Sequence, residues 1–233
     1  MSRRVTMMQM RSQPGVAWTR TLGRGSRLPA TRYLSELDAP LDWRRALSLH
    51  RRLLAGELGV IGEVSRNESD TRPTLAVLLL GMLVAGLGAW LWVVIDTRGA
   101  EIAGPALNVL LLGSIASLGA WALWLGLTWH ALRSIFQVEV GWRDLMRPMS
   151  LVGGFAVWQF FMLAGPASFA VGLIATIAGV LLAVLAVRAA APQADDRAAI
   201  ISVGLGFGVY ALVLSLAAGL LGIGSGLFVH AIG

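Results

Sequence analysis

The side chains that could do acid–base or metal chemistry in this sequence are few and far apart. The histidines are His50, His130 and His230, and successive ones are separated by 80 and 100 positions. There is no cysteine, which excludes thiolate nucleophiles and thiolate metal ligands. The imidazoles fall at different depths of the expected fold, so one metal ion cannot bind all three. We predict no metal site and no bound cofactor; His130 and His230 are only weak candidates for a haem or chlorin ligand.

Catalytic motifs are also missing from the sequence. It contains no HExxH, GxSxG or P-loop pattern, each of which places reactive groups at a fixed spacing. We therefore predict that this chain is not an enzyme.

Two amides, Asn108 and Gln159, are the notable polar residues within long apolar runs. No acidic residue and no arginine lies deep in such a run, where a charge would mark ion transport or a proton relay. This argues against an ion-coupled pump but leaves a passive pathway open. For Gln159 we favour a structural hydrogen bond to a neighbouring helix over a contact with a substrate.

The elements that position these residues are apolar helices. Hydrophobic residues make up 56% of the 233-residue chain and charged residues 14%, against about 25% charged in soluble domains. Residues 148–187 carry no charge over 40 positions, and one span needs about 20 apolar residues. The run therefore predicts two spans joined by a turn at Gly165-Pro166.

The predicted fold is all-α: an integral membrane bundle of five transmembrane helices with an N-terminal amphipathic interfacial helix. The transmembrane domain covers residues 73–233, and its spans are predicted at about 73–95, 104–132, 148–164, 166–187 and 199–221. Glycines at 222, 224 and 226 are expected to end the last helix, and whether the tail beyond it enters the membrane is left open.

Small residues recur at four-residue spacing inside these runs, which lets helix backbones approach closely in lipid. We expect ordinary packing within the chain, with a contact between copies as the alternative. The predicted helix-packing residues are Gly204 with Gly208, Gly222 with Gly226, Ala175 with Gly179, Gly113 with Ser117, and Gly81 with Ala85.

The N-terminal third is basic. Residues 1–40 are predicted to be a disordered basic leader, with a mitochondrial transit peptide as the alternative. Residues 41–64 are predicted to form one amphipathic helix, followed by a polar linker over 65–72. On that helix an apolar face opposes a basic one, which favours a position in the membrane interface over a soluble helix packed on the cytosolic loops. The apolar face comprises Trp43, Leu47, Leu54, Leu58 and Ile61, and the polar face Arg44, Ser48, Arg51 and Arg52.

Arginine placement predicts the orientation. Of the 19 basic residues, all arginine, 18 fall in the N-terminal region and in alternate loops, and one lies on the other side. We predict a bacterial plasma-membrane protein with a cytosolic N-terminus and an external C-terminus, the mitochondrial inner membrane being the alternative. The basic charge is expected to meet anionic lipid head groups, and no nucleic acid partner is predicted.

The layout from about residue 120 to 221 resembles the bacterial branch of the YIP-domain (Ypt-interacting-protein-like) family of five-span membrane proteins. The matching stretches are Gly141-Trp142-Arg143-Asp144-Leu145-Met146-Arg147, Gly154-Phe155-Ala156, Gly165-Pro166 and the loop from Arg188 to Arg197. The resemblance implies a cytosolic N-terminus ahead of five clustered spans. The acidic and Tyr-Gly signature of the eukaryotic members is missing, so their role with Rab-type GTPases is not implied.

The function expected from these features is a non-enzymatic, multi-pass membrane protein, membrane-organising or accessory to a larger complex. Its expected partners are the lipid bilayer and other membrane subunits or further copies of itself. A passive transporter using Gln159 and Asn108 is the alternative, and a pigment- or haem-binding subunit comes third.

Overall fold

The computed structural model describes residues 41–99, 102–163 and 168–223, and every regular element within these ranges is helical. The leader over residues 1–40, the Gly165-Pro166 turn, and the tail that holds Gly226 and His230 lie outside the described residues. Besides a single turn at Ala103–Pro105, the α-helices are α1 (Trp43–Leu54), α2 (Gly59–Arg66), α3 (Thr71–Asp96), α4 (Gly113–Ser134), α5 (Trp142–Gly153), α6 (Ser168–Ala190) and α7 (Asp196–Leu221).

Four stretches in the described ranges are long and apolar enough to cross a membrane. They are Glu68–Asp96, Ala106–Ser134, Phe169–Ala190 and Asp196–Leu221. The expected span over residues 148–164 differs from these four. Pro148 lies inside α5 rather than at the start of a helix, and after Gly153 the chain continues as a 3₁₀-helix over Gly154–Leu163. The four long helices make this a multi-pass membrane protein by composition and length.

The expected single helix over residues 41–64 is two helices. Gly56 adopts a left-handed conformation (φ +85°), which an uninterrupted helix of L-residues excludes. The Asp42 side chain caps α1 by accepting a hydrogen bond from the backbone N–H of Arg45 (2.9 Å). Arg52 on α1 donates to Glu57 and Glu63, which ties the two helices into a pair that we call the cap.

The second membrane-crossing stretch begins irregularly. Residues Ala106–Leu112 are π-helical before α4 starts at Gly113, and Asn108 lies in this segment. Trp90 near the end of α3 donates a hydrogen bond to the carbonyl of Ile102 (3.2 Å), which holds the connection beside α3.

Helix α3 packs closely against both irregular segments through glycine. A β-carbon at Gly81 would lie 2.8 Å from Cα of Gly154, and one at Gly88 would lie 2.7 Å from Cα of Phe160. On its other side, a β-carbon at Gly86 would lie 3.1 Å from the carbonyl oxygen of Leu110. Because real β-carbons rarely or never approach other atoms this closely, these helix contacts depend on glycine at the three positions.

Helices α4 and α7 make the other close crossing. Trp124 donates to the carbonyl of Val203 (3.1 Å) and Thr128 to the carbonyl of Ser202 (3.3 Å). Gly206 lies between these two side chains. Helix α7 begins at an Asp195 cap and ends at Gly222, whose left-handed conformation (φ +62°) lets the following N–H bond back to Ala217.

Candidate functional sites

The cap is held to the start of α3 by a charged cluster. Arg45 donates to both carboxylate oxygens of Asp70 (2.8 Å each) and to Glu63 (2.7 Å). Asp70 is only 1% exposed, so its charge is almost entirely dependent on this pairing. Arg45 and then Arg52 lower the pKa of Glu63, because both guanidiniums hydrogen-bond its ionised form.

A second junction joins the cap to α5 and α6. Arg147, which is 3% exposed, donates to the carbonyl of Ser65 (2.9 Å) and to Asp144 (2.6 Å). Ser65 in turn donates to the carbonyl of Ala189 at the end of α6 (2.9 Å). The cap is therefore fixed to three helices of the bundle at one end of the molecule.

Helix α1 has two apolar faces. Ala46, Leu49 and Leu53 are buried against the rest of the protein. Trp43, Leu47 and Leu54, with Leu58 just beyond, form a second face that is exposed; we call these four residues the outer stripe. At 100° per residue the two faces point about 110° apart, and Arg44 and Arg51 lie beside the outer stripe on the side away from the bundle.

A small cavity lies inside the bundle. Its volume is about 50 Å³, and residues of α3 to α7 and of the 3₁₀-helix line it. Aromatic and methionine side chains make up about half of the lining, and Gln159, Thr176 and Tyr210 are its polar members. The indole nitrogen of Trp121 lies beside Gly153 in its wall.

Two polar groups of the cavity have no hydrogen-bond partner among the described residues. They are the side-chain amide of Gln159 and the indole N–H of Trp121; Trp121 as a residue is 5% exposed, but both groups keep some accessible surface. The helix-to-helix bond expected for Gln159 is therefore not formed within the described chain.

An apolar groove adjoins the cavity on the outside of the bundle. It lies between α6 and α7, has a volume of about 410 Å³, and exposes no polar surface. Thr176 and Phe207 line both the groove and the cavity, so these two side chains form the boundary between them.

The other polar residues singled out from the sequence lie elsewhere. Asn108 is exposed on the π-helical segment and takes no part in the cavity, so it is not brought together with Gln159. His130 is exposed on α4 and also lies away from the cavity, while His230 lies outside the described residues. Within the described ranges no three His, Asp or Glu side chains are grouped to hold a metal ion.

The predicted packing residues are divided between the interior and the surface. Gly113, Ser117, Gly81, Ala85 and Ala175 are buried. By contrast, a β-carbon at Gly204, Gly208, Gly179 or Gly222 would meet no atom within 4 Å. Gly179 borders the cavity and Gly222 ends α7.

Several important residues escaped the sequence reasoning. Gly206, Gly88 and the adjacent Gly153 and Gly154 make the close helix contacts, but four-residue spacing did not single them out. Arg45 and Arg147 look like ordinary members of a basic region; only their exact placement opposite Asp70 and Ser65 shows their role.

Comparison of this chain with family models, with curated proteins and with solved structures finds no match.

Proposed function

We propose that this protein is a non-enzymatic, membrane-organising or accessory subunit that holds an amphipathic helix against the cytosolic leaflet of a bacterial plasma membrane. The observation that carries the proposal is the outer stripe of α1. It is a second apolar face, flanked by arginines, on a helix whose first apolar face is already buried in the protein.

Geometry favours lipid as the surface that the outer stripe covers. The outer stripe points about 110° away from the buried face, which leaves it available to the bilayer beside the bundle. Arg44 and Arg51 then reach the level of the lipid phosphates, as expected of a helix lying in the interface. Aromatic residues near the C-terminal end of α4 support the same placement. The ring centroids of Trp129 and Trp142 are 5.8 Å apart, and the guanidinium carbon of Arg133 lies 4.9 Å from the Trp129 ring centroid, as in an interfacial aromatic belt.

The contacts of Arg45 with Asp70 and of Arg147 with Ser65 explain how the cap, and α1 with it, is held at the end of the bundle. Arg45 and Arg147 fix the cap to the ends of three helices, so the outer stripe is presented on a rigid support. A helix held in this way binds lipid without first paying the cost of folding at the surface.

Site-directed spin labelling tests this placement directly, because the chain has no native cysteine. A label at Leu47→Cys or Leu54→Cys, in bilayers with anionic lipid, is expected to collide with oxygen more often than with a water-soluble nickel complex. Ser69→Cys, on an exposed polar turn, is the control and is expected to show the reverse. Nickel accessibility at Leu47 equal to that at Ser69 would refute the proposal.

The same proposal includes a fifth crossing by residues 148–163. Six α-helical residues at 1.5 Å and ten 3₁₀ residues at 2.0 Å give about 29 Å, close to the roughly 30 Å hydrocarbon core. As a continuous α-helix the same 16 residues would reach only about 24 Å. The 3₁₀ geometry thus supports five spans, a cytosolic N-terminus and an external C-terminus.

A reporter fused after Gly233 tests this topology. We expect alkaline phosphatase, which works only outside the cytosol, to be active there, and a cytosolic reporter at the same position to be inactive. The opposite pattern would refute the external C-terminus and, with a cytosolic N-terminus, would mean an even number of crossings.

The resemblance to the bacterial YIP-domain family fits this layout and remains part of the proposal. Its accessory role is tested by crosslinking in native membranes followed by purification in mild detergent. We expect either a second membrane protein or a second copy of the chain to be recovered; a monomer with no crosslinked partner would contradict the accessory role.

A further inference from the structure

The cavity and the groove beside it have complementary chemistry. The cavity offers hydrogen-bond donors without partners, at Gln159 and Trp121, and the groove offers only apolar surface. Since Thr176 and Phe207 border both, a molecule lying in the groove needs to pass only these two side chains to place one end in the cavity.

The depth of the cavity restricts what can reach it. Counted from the helix ends nearest the cap, Trp124 is ten residues into α4 and Phe207 eleven residues into α7, which corresponds to a depth of about 15 to 17 Å. This is the middle of a hydrocarbon core of about 30 Å. A ligand must therefore enter from the lipid phase, through the groove between α6 and α7.

The size of the cavity and the lack of charge around it further restrict which ligands can bind. An apolar cavity of about 150 Å³ accommodates benzene, so a ring does not fit in about 50 Å³, whereas a hydroxyl or carbonyl group does. Among the described residues no charged side chain borders the cavity or the groove, so a carboxylate or phosphate would stay uncompensated in the middle of the membrane.

We propose that the cavity and groove together bind a long-chain lipid with a small, neutral, ring-free oxygen group at one end, either a hydroxyl or a carbonyl. The chain lies between α6 and α7 along Ile177 and Val180. The oxygen accepts hydrogen bonds from the Trp121 indole and the Gln159 amide, which satisfies both donors. Such a ligand has either a straight or an isoprenoid tail, because the groove recognises only apolar surface.

Photolabelling of the full chain in lipid nanodiscs tests the proposal. The reagent is a straight-chain alcohol with a diazirine in its tail, and labelled peptides are located by mass spectrometry. Label is expected on α6 and α7 at the groove. Unlabelled long-chain alcohol, straight or isoprenoid, is expected to reduce the labelling at least 10-fold more effectively than the alkane of equal length. The tail that competes better shows whether the natural ligand is a straight-chain or an isoprenoid lipid.

Variants separate the cavity from the groove. Gln159→Leu and Trp121→Phe each remove a donor, and each is expected to weaken competition by the alcohol roughly 3- to 10-fold, without affecting the alkane. Gly179→Val adds a side chain at the cavity border where no atom lies within 4 Å, and is expected to abolish the preference for alcohol over alkane. Gly204→Val, equally free of neighbours but away from the cavity, is the matched control and is expected to behave like the native protein.

Several outcomes would overturn the proposal. An alkane that competes as well as the alcohol in the native protein would show that the oxygen is not recognised. A carboxylate or a quinone that competes better than the alcohol would contradict the charge or the size argument. Melting temperatures of the variants show whether a loss of alcohol preference comes from the binding site or from unfolding. If Gly179→Val unfolds, the competition measured with Gln159→Leu still tests whether the oxygen is recognised.

Discussion

At the residue scale, the contacts that hold this bundle are made by glycines rather than by large side chains. Gly81, Gly88 and Gly206 allow backbones and aromatic rings to meet at distances that any β-carbon would prevent. Lipid supplies no hydrophobic drive between helices, so close packing of this kind supplies most of the attraction.

Substituting Gly206 by alanine is expected to destabilise the bundle. The new β-carbon would lie 2.7 Å from the carbonyl oxygen of Trp124 and 2.8 Å from the hydroxyl of Thr128, so α4 and α7 must separate. We expect a loss of about 2 kcal/mol in denaturant unfolding in detergent. Gly208→Ala, on the exposed face of the same helix, is the control and should match the native protein; equal losses in both variants would refute this account.

Substituting Arg45 by glutamine is expected to loosen the cap. Asp70 is almost fully buried, so losing Arg45 leaves a buried carboxylate with the Asn67 amide as its remaining side-chain partner. Removing one member of such a pair costs about 2 to 3 kcal/mol once partial exposure of Arg45 is considered. The measurement is thermal unfolding in detergent, with Arg52→Gln as a control whose exposed ion pairs should matter less. An equal shift for the two variants would contradict the special role of Asp70.

At the scale of elements, each helix was predictable from sequence to the extent that its apolar pattern decides its state. The apolar runs of α3, α4, α6 and α7 were long and apolar enough to predict a membrane span for each. The helix break at Gly56, the π-helical start of the second span and the 3₁₀-helix after Gly153 were not foreseen. A hydropathy pattern carries no information about rise per residue, and these departures follow from contacts between helices distant in sequence.

The cap as an element is expected to respond to pH through His50. Burial lowers the pKa of His50 below its usual 6.5, and its Nδ1 atom is buried without a hydrogen-bond partner among the described residues. The unfolded cap therefore binds a proton more readily than the docked cap, so docking weakens as pH falls below 6.5. Between pH 7 and 5 we expect faster proteolysis of α1 in the native protein.

His50→Gln serves as the comparison for this pH dependence. It cannot take up a proton, so proteolysis of α1 should be nearly constant over the same pH window, which lies above the range where Glu63 is protonated. A pH dependence that persists in His50→Gln would assign the effect to another group.

At the scale of the whole molecule, the protein combines a membrane bundle with a cap that polar contacts fix to one end. The bundle could be predicted from composition, and the basic character of the cap from its arginines. The candidate sites could not be predicted in the same way. Gln159 was recognised as unusual from sequence alone, but the cavity around Gln159 and Trp121 depends on how five helices meet.

Replacing Arg147 by methionine tests whether cap and bundle are separable parts. The variant loses the hydrogen bond to the carbonyl of Ser65 while keeping an apolar side chain of similar length in the buried position. Hydrogen exchange is expected to speed up in α2 by at least 10-fold, and exchange in α4 and α7 should stay unchanged. Faster exchange in all helices together would mean that cap and bundle unfold as one unit.

The three glycines at 204, 206 and 208 in α7 also imply different rates of evolutionary change. Gly206 contacts Trp124 and Thr128, so natural selection is expected to remove almost every substitution there. A β-carbon at Gly204 or Gly208 would meet no atom within 4 Å. In related sequences these two positions are therefore expected to vary among alanine, serine, valine and leucine. A set of related sequences in which position 206 varies as freely as position 208 would contradict the α4–α7 crossing.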